Sequence, residues 1–279
     1  EGGDNPYPSW DQLRREDREE EPSIVLTIQD AAGRVVRTIS GTAAEGLQQV
    51  AWDMRYPAPD PVDLEAGSSL APWESPPQGP MVLPGEYSVT LSRRVEGRLV
   101  ALDGPQSFEL KPMFTGGLVT DNRDELLEFQ QQTAELHRAV MGADRAADEI
   151  ENRIAHLLTA AGDTPSVGED QAASLREMRT RMQDLRILLT GDRTIPSRSV
   201  PAPLALMTRV GNIAGGSWNS QSGVTGNYRA SLDVAAQQFR PLLAELKSIA
   251  ADLEAIEEQL ESEGAPWTPS RIPDWPGQQ

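Results

Sequence analysis

The chain has 279 residues, enough for two domains with cores of their own. It contains no cysteine, which excludes disulfides and thiolate metal sites, and no run of eighteen apolar residues long enough to cross a bilayer as a helix. A formal charge of −18, from 25 basic and 43 acidic residues, argues against a nucleic-acid backbone or an anionic membrane surface as partner.

Residues 1–22 read as an acidic amino-terminal segment. The opening Glu1-Gly2-Gly3-Asp4 lacks the basic-then-apolar pattern of a signal peptide, as expected of a processed exported protein or of a piece of a longer chain. Tyr7 and Trp10 are candidate partner contacts, and the charge run Glu16 to Glu21 reads as a solvated linker.

Residues 23–115 read as strands. Ile24, Leu26 and Ile28 alternate onto one face, and Asp30-Ala31-Ala32-Gly33 supplies a turn into Val35–Ile39, which makes a hairpin. Further strands are predicted over Leu47–Asp53 and Glu86–Ser92, with a last pair near 98–102 and 106–111 joined across Asp103-Gly104. Five to seven short strands with turn residues between them describe a β-sandwich. Within it lies a Pro-rich loop, 56–83, whose seven prolines rule out a central strand. Trp73 in this loop either folds back over the sandwich edge or meets a partner.

Residues 120–264 carry apolar side chains in a 3-4 spacing, the pattern of helices packed lengthwise. One seam runs from Leu126 to Leu157 with Thr133 as its single polar member, and another from Tyr228 to Leu260. A shorter seam runs from Leu175 to Leu189. The first helix is capped at Asp121 or Asn122 and expected to end near Gly162 in a left-handed stop; the second spans about 169–190 and stops at Gly191. A third is expected over 202–214, and a fourth over 224–263, stopped by Gly264 and continuing through Pro241 with a kink. Matched lengths favour an antiparallel bundle of three rods, one of them broken, over four independent helices. Burial of about twenty-five seam positions favours a bundle within one chain, hence a monomer, over an intermolecular coiled coil. The glycine-rich stretch around Gly215-Gly216 is a long inter-helix turn, with Trp218 either packed on the bundle end or offered to a partner. Residues 265–279 form a Pro/Trp tail, in which Trp267 and Trp275 are further candidate contacts.

The stretches Ile28–Ile39, Gly46–Arg55 and Leu83–Leu91 resemble the immunoglobulin-like module of the flagellar hook-capping family, a match over about 90 residues. That resemblance implies that Trp52 lies in the sandwich core and that Pro84-Gly85-Glu86-Tyr87 starts a return strand. An acidic segment, this module, a helical bundle and the ending Gly264-Ala265-Pro266-Trp267-Thr268-Pro269 together resemble the carboxy-terminal region of exported bacterial β-propeller proteins. Those proteins are of the sialidase-repeat, sortilin and glycosyl-hydrolase-like types. No Ser-x-Asp-x-Gly-x-x-Trp box and no blade-length repeat occur in this sequence, so any propeller chemistry implied by the resemblance belongs to other residues.

Candidate chemistry is sparse. His137 and His156 are the only histidines, and nineteen residues of helix hold them about 28 Å apart, too far to share a site. Neither has a second metal ligand one turn away, so no metal or cofactor is expected. Glu257, Glu258, Glu261 and Glu263 read as a solvated helix face. The reading is a non-catalytic accessory region that positions or binds a protein partner, a β-propeller of the same parent protein being one candidate. Two alternatives stay open, a glycoside-hydrolase-like enzyme fragment and a helical oligomerisation or adhesion scaffold.

Overall fold

The computed structural model describes residues 7–62, 64, 76–113, 122–192, 194, 202–275 and 277. The protein is mixed α+β, and about half of it is helical. Two compact units divide the chain: one runs to Pro57 and again over Met81–Gly117, the other comprises Ala58–Pro80 and Leu118–Gln279. The Pro-rich connection thus leaves the strand unit. At its neck Arg55 bridges Met81, and the Val82 amide donates to the Met54 carbonyl at 2.9 Å. What lies between is an excursion, and its central residues, Trp73 among them, are outside the described residues.

The first unit holds a short helix α1 (Trp10–Glu16) and strands β1 (Ser23–Asp30), β2 (Val35–Thr42), β3 (Gly85–Val95) and β4 (Arg98–Leu110). The strands form one antiparallel sheet in the order β2-β1-β3-β4. The β1–β2 turn closes because the Asp30 carboxylate accepts from the amides of Ala32 and Arg34, both at 2.9 Å, and because Gly33 tolerates φ of 76°. A bulge in β2 leaves Val36 unpaired between Arg37 opposite Ile28 and Val35 opposite Gln29, and Val36 is buried.

Two of the expected features take another form. Leu47–Asp53 is irregular chain with Leu47 fully exposed, since Leu47 and Val50 are three apart and cannot share a strand face. The expected hairpin at Asp103-Gly104 is instead one continuous strand, β4, paired with β3 on both sides of a bulge. Gly104, at φ of 102°, is what the bulge needs, because a Cβ there would lie 2.8 Å from the Val89 carbonyl oxygen. Among the described residues there is one sheet, without the second sheet of a sandwich.

Irregular chain covers part of this sheet. Ile28, Val36, Val82 and Tyr87 are buried, with Trp52, Tyr56, Val89 and Phe108 packed against them. The Trp52 ring meets Tyr87 edge-on at 5.7 Å and Phe108 at 6.3 Å, geometries that aromatic quadrupoles favour. The Trp52 indole N–H donates to the Arg55 carbonyl at 3.2 Å, and the Tyr87 hydroxyl donates to the Leu83 carbonyl at 2.6 Å.

The second unit holds α2 (Arg123–Asp163), α3 (Glu169–Thr190), α4 (Leu206–Ser217) and α5 (Gly226–Ser262). Asn122 caps α2, its Oδ1 accepting from the Glu125 amide at 3.2 Å. Gly162 remains helical, and α2 ends where Thr164 turns extended and its hydroxyl donates to the Ala160 carbonyl at 2.7 Å. Gly191 ends α3 with φ of 99°. Gly264 ends α5 with φ of 86°, the Ala265 amide reaching back to Leu260 and the Gly264 amide to Glu261, a Schellman close. The third helix starts after Pro203, at Leu206, and runs on to Ser217, beyond the expected 202–214. Pro241 stands inside α5, which continues through it.

The heptad seams meet in a common core. Val140, Ala147 and Ile154 of α2 are buried at seven-residue spacing, as are Leu175, Met182 and Leu189 of α3 and Phe239, Leu246, Leu253 and Leu260 of α5. Thr133, the polar member, is fully buried and satisfies its hydroxyl on the Phe129 carbonyl at 2.9 Å. Glu125–Arg229 and Arg153–Glu257 both join residues 104 apart in sequence, so α2 and α5 run in the same direction. α3 runs against α5, with Gln171 near Glu263 and Arg181 near Glu245.

Burial, with the nearby Tyr56 and Asp30, pushes the Tyr87 hydroxyl up to about 12 from 10. The unfolded chain therefore releases that proton first. Stability is complete below pH 10 and is lost as pH rises through the folded value near 12. Tyr87→Phe should cost about 1 kcal/mol at neutral pH and flatten the alkaline fall in stability, measured by urea melts at successive pH values.

Candidate functional site

The two histidines of the chain differ in setting. His156 is exposed on α2. His137 is half-buried, with its ring edge-on to Trp218 at 5.6 Å, and its buried Nδ1 has no hydrogen-bond partner among the described residues. Burial holds its pKa below 6.5, opposed by the charge of Asp60 from the Pro-rich excursion. Around it, the Gln130 amide donates to the Ser217 carbonyl at 2.7 Å in a buried setting. This end of the helical unit is a packed polar cluster, and Trp218, 8% exposed, belongs to it. Of the two settings open to Trp218 at the inter-helix turn, the structure shows the packed one, with the ring inside the unit.

The glutamates of α5 depart from the solvated face that their spacing predicts. Glu257 is fully buried. Arg153 of α2 grips it with two nearly parallel bonds, Nε to Oε1 at 2.9 Å and Nη2 to Oε2 at 2.6 Å. Arg271 of the tail lies 3.8 Å from the same carboxylate and bonds Glu261 at 2.7 Å. Glu263 accepts from Gln171 at 3.0 Å, so of the four only Glu258 stands exposed. A single charge next to the seam residue Ile256 reads as solvent-facing. The partner that buries it lies 104 residues away, a distance over which sequence spacing carries no signal.

Other arginines repeat this work. Arg181 of α3 reaches three turns of α5, at Glu245 and Asp252 (2.7 Å each) and at Ser248 (3.2 Å). Arg186 reaches Asp144, Asp148 and Glu151 of α2. A hollow of about 280 Å³ is walled by Glu149, Glu254 and Glu258 together with Arg153 and Arg271. Both signs of charge face each other there, as in an ion-pair network. Among the described residues no three His, Asp or Glu side chains group as a metal ion requires.

Among the described residues two further hollows have largely apolar walls. One of about 410 Å³ lies at the break between α3 and α4, lined by Ile187, Leu188, Leu204 and Leu206 with Pro241 and Leu242 of α5. The other, about 1150 Å³, lies on the sheet between Ile24, Leu26 and Leu91 and the irregular chain at Val50 and Ala51. The hydrophobic face that the β1 alternation predicts is thus covered at Ile28 and open at Ile24.

Of the remaining candidate contacts, Tyr7 and Trp10 are 87% and 75% exposed in the strand unit. Trp275 is 83% exposed and Trp267 44% exposed in the helical unit. These side chains stand outside both cores. No family model, no curated protein and no solved structure matches this chain.

Removing one partner of the buried pair strands the other charge. Glu257→Met or Arg153→Leu should each cost about 3–5 kcal/mol, and the two changes together should recover most of the loss, by denaturant melts in a double-mutant cycle. For His137 the depressed folded pKa means that stability is complete above pH 6.5 and falls as pH drops below it towards the folded value. Between about pH 7 and pH 5, His137→Leu should therefore show a shallower fall in melting temperature than the parent chain.

Proposed function

We propose that this chain is a non-catalytic accessory region that binds or positions a protein partner. The observation that carries the reading is the set of indoles outside both cores, at Trp10 and Trp275 above all. Tryptophan is among the side chains that most often anchor protein interfaces, which is what supports the reading. The mutual engagement of arginines and carboxylates in the helical unit supports the same reading, because it commits charged groups to holding helices in register.

We read the sheet with its aromatic cover as an immunoglobulin-like sandwich whose second layer is irregular. The bond from the Tyr87 hydroxyl to a carbonyl four residues upstream supports this, being the arrangement of a tyrosine corner in such domains. We read the helices as an antiparallel bundle of three rods, α2, α3 followed by α4, and α5. With those two modules in series, the resemblance to accessory regions of exported β-propeller proteins gives the partner class, a propeller of the same parent protein, and an extracytoplasmic setting.

Titration with a purified sialidase-repeat propeller should shift the fluorescence of the exposed tryptophans and protect them from acrylamide quenching. Trp10→Ala and Trp275→Ala should weaken that binding while leaving the melting temperature within about 1–2 °C of the parent, as exposed side chains do. Saturable turnover of sialosides, glucosides or peptides that vanishes on mutating acids of one hollow would overturn the reading in favour of an enzyme.

A further inference from the structure

β4 closes one side of the sheet and, among the described residues, pairs with β3 alone. Its residues from Arg98 to Ser107 are all exposed, with Leu99, Val100 and Leu102 at 56%, 46% and 51%. A strand in this position presents a row of backbone donors and acceptors to any strand that can lie beside it. Native sheets blunt such edges with proline, lysine or a covering loop. On the opposite edge, irregular chain lies close to β2, where Val50 packs 3.1 Å from the place a Cβ would take on Gly41. On β4, Pro105 and the Gly104 bulge interrupt pairing beyond Asp103, whereas Arg98–Asp103 contains neither proline nor lysine and carries its charges only at the two ends, with Leu102 as an extra residue.

The bulge also sets which side chains share a face. Arg98, Val100 and Asp103 lie opposite Val95, Arg93 and Leu91, which share one face of β3. Leu99 and Ala101 lie opposite Arg94 and Ser92 on the other face, and Leu102 is the extra residue. A positive charge and a negative charge therefore stand on one face at the two ends of an apolar stretch. Read in the reverse direction, that order is its own complement.

We propose that Arg98–Asp103 pairs antiparallel with the same segment of a second copy of this chain, about a two-fold axis at Val100. Val100 then meets its own copy, and Leu99 meets Ala101 on either side of the axis. The Leu102 bulge carries Arg98 opposite Asp103 at both ends. The contact is isologous, and the two sheets continue as one across it. An unrelated strand would have to supply both charges at this spacing, whereas a second copy supplies them by symmetry. Each chain carries a charge of −18, so the pairing is opposed at long range and strengthens as salt screens that repulsion.

The experiment is multi-angle light scattering of the full chain over a concentration series in about 0.15 M salt. The apparent mass should rise from one chain towards two. Arg98→Asp and Asp103→Arg, each placing like charges opposite one another, should weaken the dissociation constant about tenfold or more, and an equimolar mixture of the two variants should restore it. Asp103 also accepts from the Gly104 amide at 2.7 Å, so Arg98→Asp, which leaves that bond intact, is the decisive single change. A chain that stays monomeric to its solubility limit leaves this edge to some other strand and overturns the proposal. So does self-association that Arg98→Asp leaves unchanged, or a mixture that fails to pair.

Discussion

A carboxylate removed from water must be matched atom for atom, and Glu257 imposes that demand where α2, α5 and the carboxy-terminal tail come together. Both of its oxygens are taken by Arg153, and Arg271 stands behind. The cost of burying such a pair is large and its net contribution to stability is small. Its value lies in specificity: a slip of α5 along α2 would leave one charge without its partner in a dry core. The leucine and isoleucine seams supply the drive to associate, but they are nearly interchangeable from one heptad to the next. The ion pair distinguishes the heptads.

The same logic runs through the helical unit, and it gives a use to arginine, which supplies all but Lys111 and Lys247 of the 25 basic residues. A guanidinium offers five donors in a flat fork, so Arg181 can hold three turns of α5 at once and Arg186 three carboxylates of α2. A lysine would serve one carboxylate at a time. In the folded chain each of these arginines ties one helix to another. Because each guanidinium faces two or three carboxylates, the pairing leaves the net charge of −18 unchanged and the clusters themselves acidic.

How much was legible followed from how local the cause was. Helix spans and seams were readable because their signal repeats every few residues, and Asn122, Gly191 and Gly264 mark ends by local backbone chemistry. The β1–β2 hairpin was readable for the same reason, through Asp30 and Gly33. Asp103-Gly104 carries the same local signal as a turn, yet β3 is long enough to pair with both flanks, and tertiary pairing converted the turn into a bulge. The first long helix ends within a residue or two of Gly162, as expected, but the close is made by Thr164, whose hydroxyl takes the Ala160 carbonyl, without a left-handed glycine. The burial of Glu257, the settling of Trp218 against His137 and the departure of the Pro-rich excursion from the sheet all depend on partners far away in sequence. Of the candidate contacts, the exposure of Trp10 and Trp275 could be expected from their place in polar terminal segments.

The two long helices are pinned at matching stations. Glu125 and Arg153 stand twenty-eight residues apart on α2, and Arg229 and Glu257 stand the same distance apart on α5. That spacing is four whole heptads, about eight turns, over which both rods keep the same phase. Insertion of a single residue in one rod would rotate everything beyond it by about 100° and break a coupling at one end. A seven-residue step taken in both rods together, with the broken rod between them adjusted to follow, is the change of length that keeps both couplings and the phase of the seams.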